Sequence, residues 1–301
     1  MSKVTRTCPV CDAGADKAKL FLQENIDPVK LNEFSFASRK TPEYMCHHLV
    51  QCTVCDLVYA DQPPSEDELA HAYHVADYDS SEEADDAASA YARAIAPVLQ
   101  RLPQLGSALE IGTGTGVFLE HLRKAGFRET VGVEPSPAAI AAAPEHRRAW
   151  IREAMFEPQD YAPASFDLIC CFMTMEHVRD PLPLARAAAQ LLRPGGAFVT
   201  VTHDWQALAN RLMGRRSPII DIEHLQLFSR GSLRRMFGEA GYRDFGASPF
   251  VNRYALRYWA RLAPIPGSLK RPLNKALNSS GVGSLKLGVN VGNLIAYGFN
   301  S

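Results

Sequence analysis

Leu109-Glu110-Ile111-Gly112-Thr113-Gly114-Thr115-Gly116 decides how this chain is read. It predicts a buried strand that ends in a glycine turn and opens directly into a helix. A turn without side chains lets backbone N–H groups and a helix N-terminus approach a nucleotide-type ligand closely. The spacing is G-x-G-x-G; a nicotinamide or flavin fingerprint needs its third glycine one place later, where this chain has Val117. Glu110 adds an acid that a pyrophosphate would not tolerate and a cationic ligand would.

Working outward, Val131-Gly132-Val133-Glu134 is a short apolar strand ending in a carboxylate twenty residues after Gly114. An acid at that strand end can accept both hydroxyls of a ribose. Phe166–Phe172 reads as a fourth strand and is followed by Met175-Glu176-His177-Val178. Leu191-Leu192-Arg193-Pro194-Gly195-Gly196 then precedes an apolar strand over Ala197–Val201. These landmarks, in this order over residues 84–301, resemble a class I S-adenosylmethionine (SAM) methyltransferase. The resemblance implies an α/β, Rossmann-like domain with a seven-stranded, mostly parallel sheet whose last strand, read at Gly292–Tyr297, is antiparallel. It also implies SAM as cofactor, with Gly112, Thr113, Gly114 and Gly116 around the methionine part and Glu110 near its amino group. Glu134 would take the ribose diol, and Glu153, Ala154 or Met155 the adenine, with Met155 preferred. Phe172 and Met173 would lie beside the sulfonium.

Seven cysteines are unevenly spread, and four of them form two C-x-x-C pairs, Cys8/Cys11 and Cys52/Cys55. Each pair can form a tight knuckle, and two knuckles complete a tetrahedral zinc site. A redox C-x-x-C and chance pairing are the competing readings; Cys46, His47 or His48 are substitutes for one ligand. Four protein ligands leave no open position for water, so the expected Zn²⁺ is structural. This zinc-ribbon-like head resembles the zinc-binding N-terminus of some bacterial methyltransferases of sugar and natural-product pathways.

The remaining sequence sets the organisation: a zinc module over 1–60, an acidic linker and helical segment over 61–90, and the SAM-dependent domain over 91–301. Residues 61–92 hold ten acids and no Lys or Arg. Ser65 and Glu68 predict a capped helix start, and Tyr91, Ile95, Val98, Leu99 and Leu102 predict a helix leading into the first strand. Phe118, Leu122 and Ala125 form the expected buried stripe of the first crossover helix, and Pro181–Leu192 a later one. Ser229 is expected to cap a helix with core face Leu233, Met236, Phe237 and Ala240, stopped at Gly241. Residues 245–301 contain seven Lys or Arg and no acid. Arg253, Arg257 and Arg261 stand four apart and predict a basic helical stripe. Its three uses are a solvated face, a dock for the acidic 61–92 segment, and a contact for an anionic acceptor such as a phosphate, nucleotide-sugar or lipid-linked glycan.

A formal net charge of −1 gives no global pull toward nucleic acid or membrane. No apolar run reaches the roughly 20 residues that span a bilayer. Met1–Arg6 lacks the apolar core of a secretory signal. The cytosol is the expected location.

SAM carries an electrophilic methyl, so the protein must place an acceptor in line behind it and, where the acceptor is a hydroxyl or acidic carbon, remove a proton. His177, after the fourth strand, and His224, in Asp221-Ile222-Glu223-His224-Leu225, are the candidate bases, with His203 a further option. Glu-His at 176–177 also resembles ubiquinone-pathway O-methyltransferases. Some of those carry a further acid at the place of Met173 and bind a divalent metal, so no catalytic metal is expected here. The expected function is O- or C-methylation of a small-molecule, sugar or glycan/natural-product acceptor, with no nucleic-acid partner and no stable membrane insertion. The alternatives are a zinc-containing RNA methyltransferase, whose head should be basic, and a non-catalytic SAM-binding protein.

Overall fold

The computed structural model describes residues 6–32, 35–36, 43–78, 82–263 and 267–301. Met1–Thr5 of the N-terminal reading and Asp79 of the acidic run lie outside the described residues. The head contributes strands β1 (Ala18–Leu22), β2 (Leu49–Cys52) and β3 (Val58–Ala60). Helix α1 (Glu66–Val75) starts in a complete capping box: Ser65 Oγ accepts from the Glu68 N–H, and the Glu68 carboxylate accepts from the Ser65 N–H at 2.7 Å. Helix α2 (Glu82–Leu99) buries Tyr91, Ile95 and Val98 and leads into β4 (Ser107–Ile111).

From there strands and helices alternate: α3 (Val117–Ala125), β5 (Glu129–Glu134), α4 (Pro137–Ala142), α5 (Glu145–Arg148), β6 (Ile151–Glu153), β7 (Phe166–Phe172), α6 (Pro181–Leu191) and β8 (Leu192–His203). Helix α7 (Leu208–Met213), β9 (Gln226–Leu227), α8 (Arg230–Glu239) and β10 (Arg243–Pro249) follow. Next come β11 (Asn252–Ala255), α9 (Leu256–Leu262), α10 (Gly267–Ser279), β12 (Lys286–Val289) and β13 (Asn293–Phe299). The seven-stranded sheet has the order β10-β13-β8-β7-β4-β5-β6. Strands β4 to β8 run parallel, and β13 is antiparallel to both β8 and β10. This is the sheet implied by the family resemblance.

All seven residues of β7 are buried, because a central parallel strand is covered on both faces. Side chains alternate between two cores. Ile169 and Cys171 join Phe198, the inner residues of α6 and α8, and the thiols of the head; Leu168 and Cys170 join α2, α3, Tyr254 and Tyr258. The stripe expected on α3 is shifted. Ala125 is exposed at the helix end, which Gly126 terminates in the left-handed region, and Val117 and Leu119 complete the buried face instead. Helix α8 is capped by Ser229 as the sequence predicts.

The basic stripe read at 253–261 is not a single helical face. Arg253 lies on β11 opposite Gly288, and α9 begins only at Leu256, so Arg257 and Arg261 alone share the helix. Ladder pairing with β12 overrides the four-residue spacing. Residues 250–292 thus form an insertion before the last strand, and β11 packs on α2. Lys286 Nζ forms an ion pair with Asp86, seating basic insertion on acidic helix.

Candidate active site and metal site

The loop after β4 needs its glycines. Gly112 has φ 73°, and a Cβ there would sit 2.3 Å from Thr174 Oγ1; Gly114 has φ 55° and open space on its Cβ side. The Gly114 N–H donates to Glu134 Oε2 at 2.8 Å, and the Ser136 N–H to Glu134 Oε1 at 3.0 Å. Burial raises the Glu134 pKa, and these two N–H donors offset part of the rise. Glu110 is buried and accepts from the Thr113 hydroxyl.

These side chains open onto one cavity of about 810 Å³, near the upper end of the usual range for a ligand site. Of the residues predicted to hold cofactor, Glu110, Gly112, Thr113, Gly114, Glu134, Met155, Phe172 and Met173 line it. Gly116 does not; it packs against Ile151 and Leu119 with φ 67°, and its role is close helix–sheet contact. Ala154 also lines the cavity, whereas Glu153 does not. Met155 stands at the rim, 39% exposed. Phe172 is clamped edge-on by Phe118, with centroids 4.8 Å apart. Met173 occupies the left-handed region at φ 52°, a strained backbone for a non-glycine residue, at the strand end where the wall turns.

Across β7 the cavity meets a group of histidines. His177 Nδ1 lies 3.1 Å from Tyr73 Oη and 3.5 Å from Glu223 Oε2. The His224 ring stands 5.0 Å from that of His177 and 5.4 Å from that of His203. His224 Nδ1 is 2.9 Å from the Ile219 carbonyl, so it carries the proton and donates, leaving Nε2 as the acceptor. Burial, reinforced by the neighbouring His177 and His203, holds the His224 pKa below its ordinary value. Glu176 is fully buried behind this group and accepts the His203 backbone N–H at 2.7 Å. Burial alone would raise its pKa, but its contact with His203 and the neighbouring imidazoles more than offset that, and the pKa lies below the ordinary value.

Residues 83–245 match the family described as a methyltransferase domain. The chain belongs to this methyltransferase family. Among curated relatives, the ubiquinone biosynthesis O-methyltransferase of Methylococcus capsulatus is 30% identical over 161 residues, covering 51% of this chain and 60% of that protein. The one of Sodalis glossinidius is 30% identical over 115 residues, covering 36% of this chain and 46% of that protein. The chain therefore spans about half the length of the curated relatives it matches. A SAM-dependent methyltransferase structure from Thermotoga maritima matches with TM-score 0.49 at 19% identity, covering 73% of this chain and 91% of that one.

Several residues around the methyltransferase cavity escape sequence reading. Tyr73 comes from the acid-rich α1, and its only signal is an aromatic on a polar helix. Glu223 sits beside His224 and could have been found by that adjacency. Asn252, Tyr254, Tyr258 and Asn293 reach the cavity from the insertion and from β13.

In the head of the methyltransferase, the two knuckles are built alike. The Asp12 N–H donates to Cys8 O at 3.0 Å and the Asp56 N–H to Cys52 O at 3.1 Å; both aspartates have positive φ. The Val54 N–H points at Cys52 Sγ at 3.4 Å. Cys8 Sγ and Cys55 Sγ are 3.5 Å apart, Cys11 and Cys52 Sγ 3.6 Å, and all four sulfurs lie within 4.8 Å of one another. Tetrahedral zinc with Zn–S bonds of about 2.3 Å requires sulfur separations of about 3.8 Å, so the donor set fits that ion. Cys46 is elsewhere, its thiol directed to Asn25 Oδ1 and Gln23 O, and His48 pairs with Asp61. No helix among the described residues is long and apolar enough to cross a membrane.

Proposed function

We propose that this methyltransferase methylates a small-molecule or saccharide acceptor on oxygen or carbon, with His224 as the base. The observation that carries the reading is the placement of His224: buried on the wall of the cavity, its Nδ1 2.9 Å from Ile219 O so that Nε2 is left as the acceptor, with burial holding its pKa below the ordinary value. An imidazole kept deprotonated near neutral pH is suited to taking a proton from a hydroxyl or an acidic carbon.

The cofactor half of the cavity lies over β4 to β6. There Glu134 would accept the ribose hydroxyls of SAM, Glu110 would face its amino group, and the Gly112–Gly114 backbone would close on its methionine part. Met155 covers the adenine edge, and Phe172 and Met173 exclude water from the reacting carbon. SAM supplies a methyl that is already electrophilic. The acceptor half lies over β7, β8 and β13, where His177, oriented by Tyr73 and Glu223, positions the nucleophile and His224 receives its proton. The Cys8–Cys11–Cys52–Cys55 set would hold a structural Zn²⁺ that shapes the head, away from the chemistry.

Transfer of label from SAM to members of a panel of nucleotide-sugars, phenols and glycans tests this reading. His224→Ala should abolish most turnover while S-adenosylhomocysteine (SAH) still binds; full turnover in that variant would overturn the base assignment. A second reading has one observation in its favour: ligand atoms of His177, Glu223 and His224 lie within 4.8 Å of one another. A second equivalent of metal in the purified protein, lost in a His177→Ala variant, would make the cluster a cation site.

A further inference from the structure

Two buried amides in the acceptor half are left without partners. Asn252 and Asn293 are each 3% exposed, both line the cavity, and neither Oδ1 has a hydrogen-bond partner. Such a group costs roughly 1–3 kcal/mol when left unpaired, and folded proteins rarely keep one without reason. Here two open onto the same cavity. The Phe250 N–H donates to the Asn293 carbonyl at 3.2 Å, which brings the turn before Asn252 against the start of β13. Asn293 stands opposite His203 in the β13–β8 ladder, and His203, whose Nδ1 lies 3.3 Å from Glu176 Oε1, also lines the cavity.

Their place in the sheet separates them from the cofactor. From β4, which carries the glycine loop, to β13 is three strand spacings, about 14 Å. These groups therefore face the acceptor. An amide oxygen only accepts, so the ligand must offer donors to both; a phosphate or carboxylate cannot satisfy them. A hydroxyl both donates and accepts, matching an amide and an imidazole alike. Tyr254 follows Asn252 on the same strand face, lines the cavity, and packs on Tyr258 with centroids 4.7 Å apart, giving an apolar wall for one side of a ring.

We propose that Asn252, Asn293 and His203 form a clamp that recognises the hydroxyls of a polyhydroxylated, sugar-type ring held against Tyr254. This rests on the methyl-transfer reading above and narrows its acceptor class. The test is calorimetric titration of the SAH-loaded protein, and of the protein alone, with UDP-glucose, UDP-galactose, GDP-mannose and catechol. At least one hexose derivative should bind, with Asn252→Ala and Asn293→Ala each weakening it about tenfold and leaving SAH affinity unchanged. Hexose binding indifferent to both substitutions, binding of catechol alone, or no hexose binding at all would overturn the clamp. So would a loss of SAH affinity in the asparagine variants. Failure of the unsubstituted protein to bind SAH would instead strike the cofactor reading, and the arm run without SAH still decides the clamp. Melting without ligand supplies a second readout. Asn252→Leu and Asn293→Leu should leave Tm unchanged or raise it, since each removes an unpaired buried amide. A fall of several degrees in both would mark the amides as structural.

Discussion

Glu134 Oε2 accepts the Gly114 N–H at 2.8 Å, a single bond that ties the loop after β4 to the loop after β5. The carboxylate thus fixes the glycine turn beside the cavity and, in its proposed role, keeps lone pairs for a diol. Glu134→Ala should weaken SAH binding by ten- to a hundredfold in calorimetry, because both loops lose their tie and the diol its acceptor. Glu134→Gln should fall between the two. Unchanged affinity in Glu134→Ala would remove the ribose role.

Removing the His224 imidazole should lower kcat by about 10²–10⁴-fold, the usual contribution of a general base, with little change in SAH affinity. The pH profile carries a sign. The His224 pKa is held below the ordinary 6.5, so the deprotonated, working form persists as pH drops through that value. The acid limb of kcat/KM should therefore lie below 6.5 and vanish in His224→Ala. Stability runs in the same direction. The unfolded imidazole takes a proton near pH 6.5 and the folded one does not, so this contribution to stability falls from about pH 6.5 down through the depressed value.

Elemental analysis of freshly purified protein should find about one zinc per chain, released by chelation or by Cys52→Ser. Cys8, Cys52 and Cys55 share a buried cluster with Leu109 and Ile111 of the central sheet. Metal loss should accordingly lower the Tm of the whole protein in one transition, and a separate early transition would show the head to be independent.

The Asp86–Lys286 pair joins the acidic α2 to the basic insertion, with Asp86 nearly buried and Lys286 half exposed. Lys286→Glu should destabilise the seat of the insertion by about 0.5–1 kcal/mol, and pairing it with Asp86→Lys should recover part of that loss. Equal Tm values for the single and double variants would mean the pair contributes nothing.

The positions of Glu110, Gly114 and Glu134 around the cavity were legible because they rest on distances along the chain. A strand, a tight turn and a carboxylate at the next strand end follow one another whatever the rest of the fold does. Asn293 and Tyr73 were not, since each has significance only through a neighbour far away in sequence, His203 for the first and His177 for the second; Asn252 reaches the cavity only because the insertion folds back onto it. Arg253 shows the opposite failure. Its four-residue spacing to Arg257 is a true helical pattern, but pairing of β11 with β12 decides the backbone there. Ala125 was misplaced by a smaller effect, the helix ending one residue before Gly126. The cysteine knuckles read cleanly, because two C-x-x-C turns carry their geometry within five residues.

Strand β9 completes the small sheet of the head. Tyr59 pairs with Gln226 and Val58 with Leu227, and the Ala60 N–H donates to the Leu225 carbonyl. His224 is therefore moored, one residue away, to a scaffold that four sulfurs far from the reacting carbon would hold rigid. Trimming residues 1–60 would leave a raw sheet edge where the proposed base is anchored, rather than a leaner enzyme. A chelator, by the same linkage, should act as a remote inhibitor that never enters the cavity.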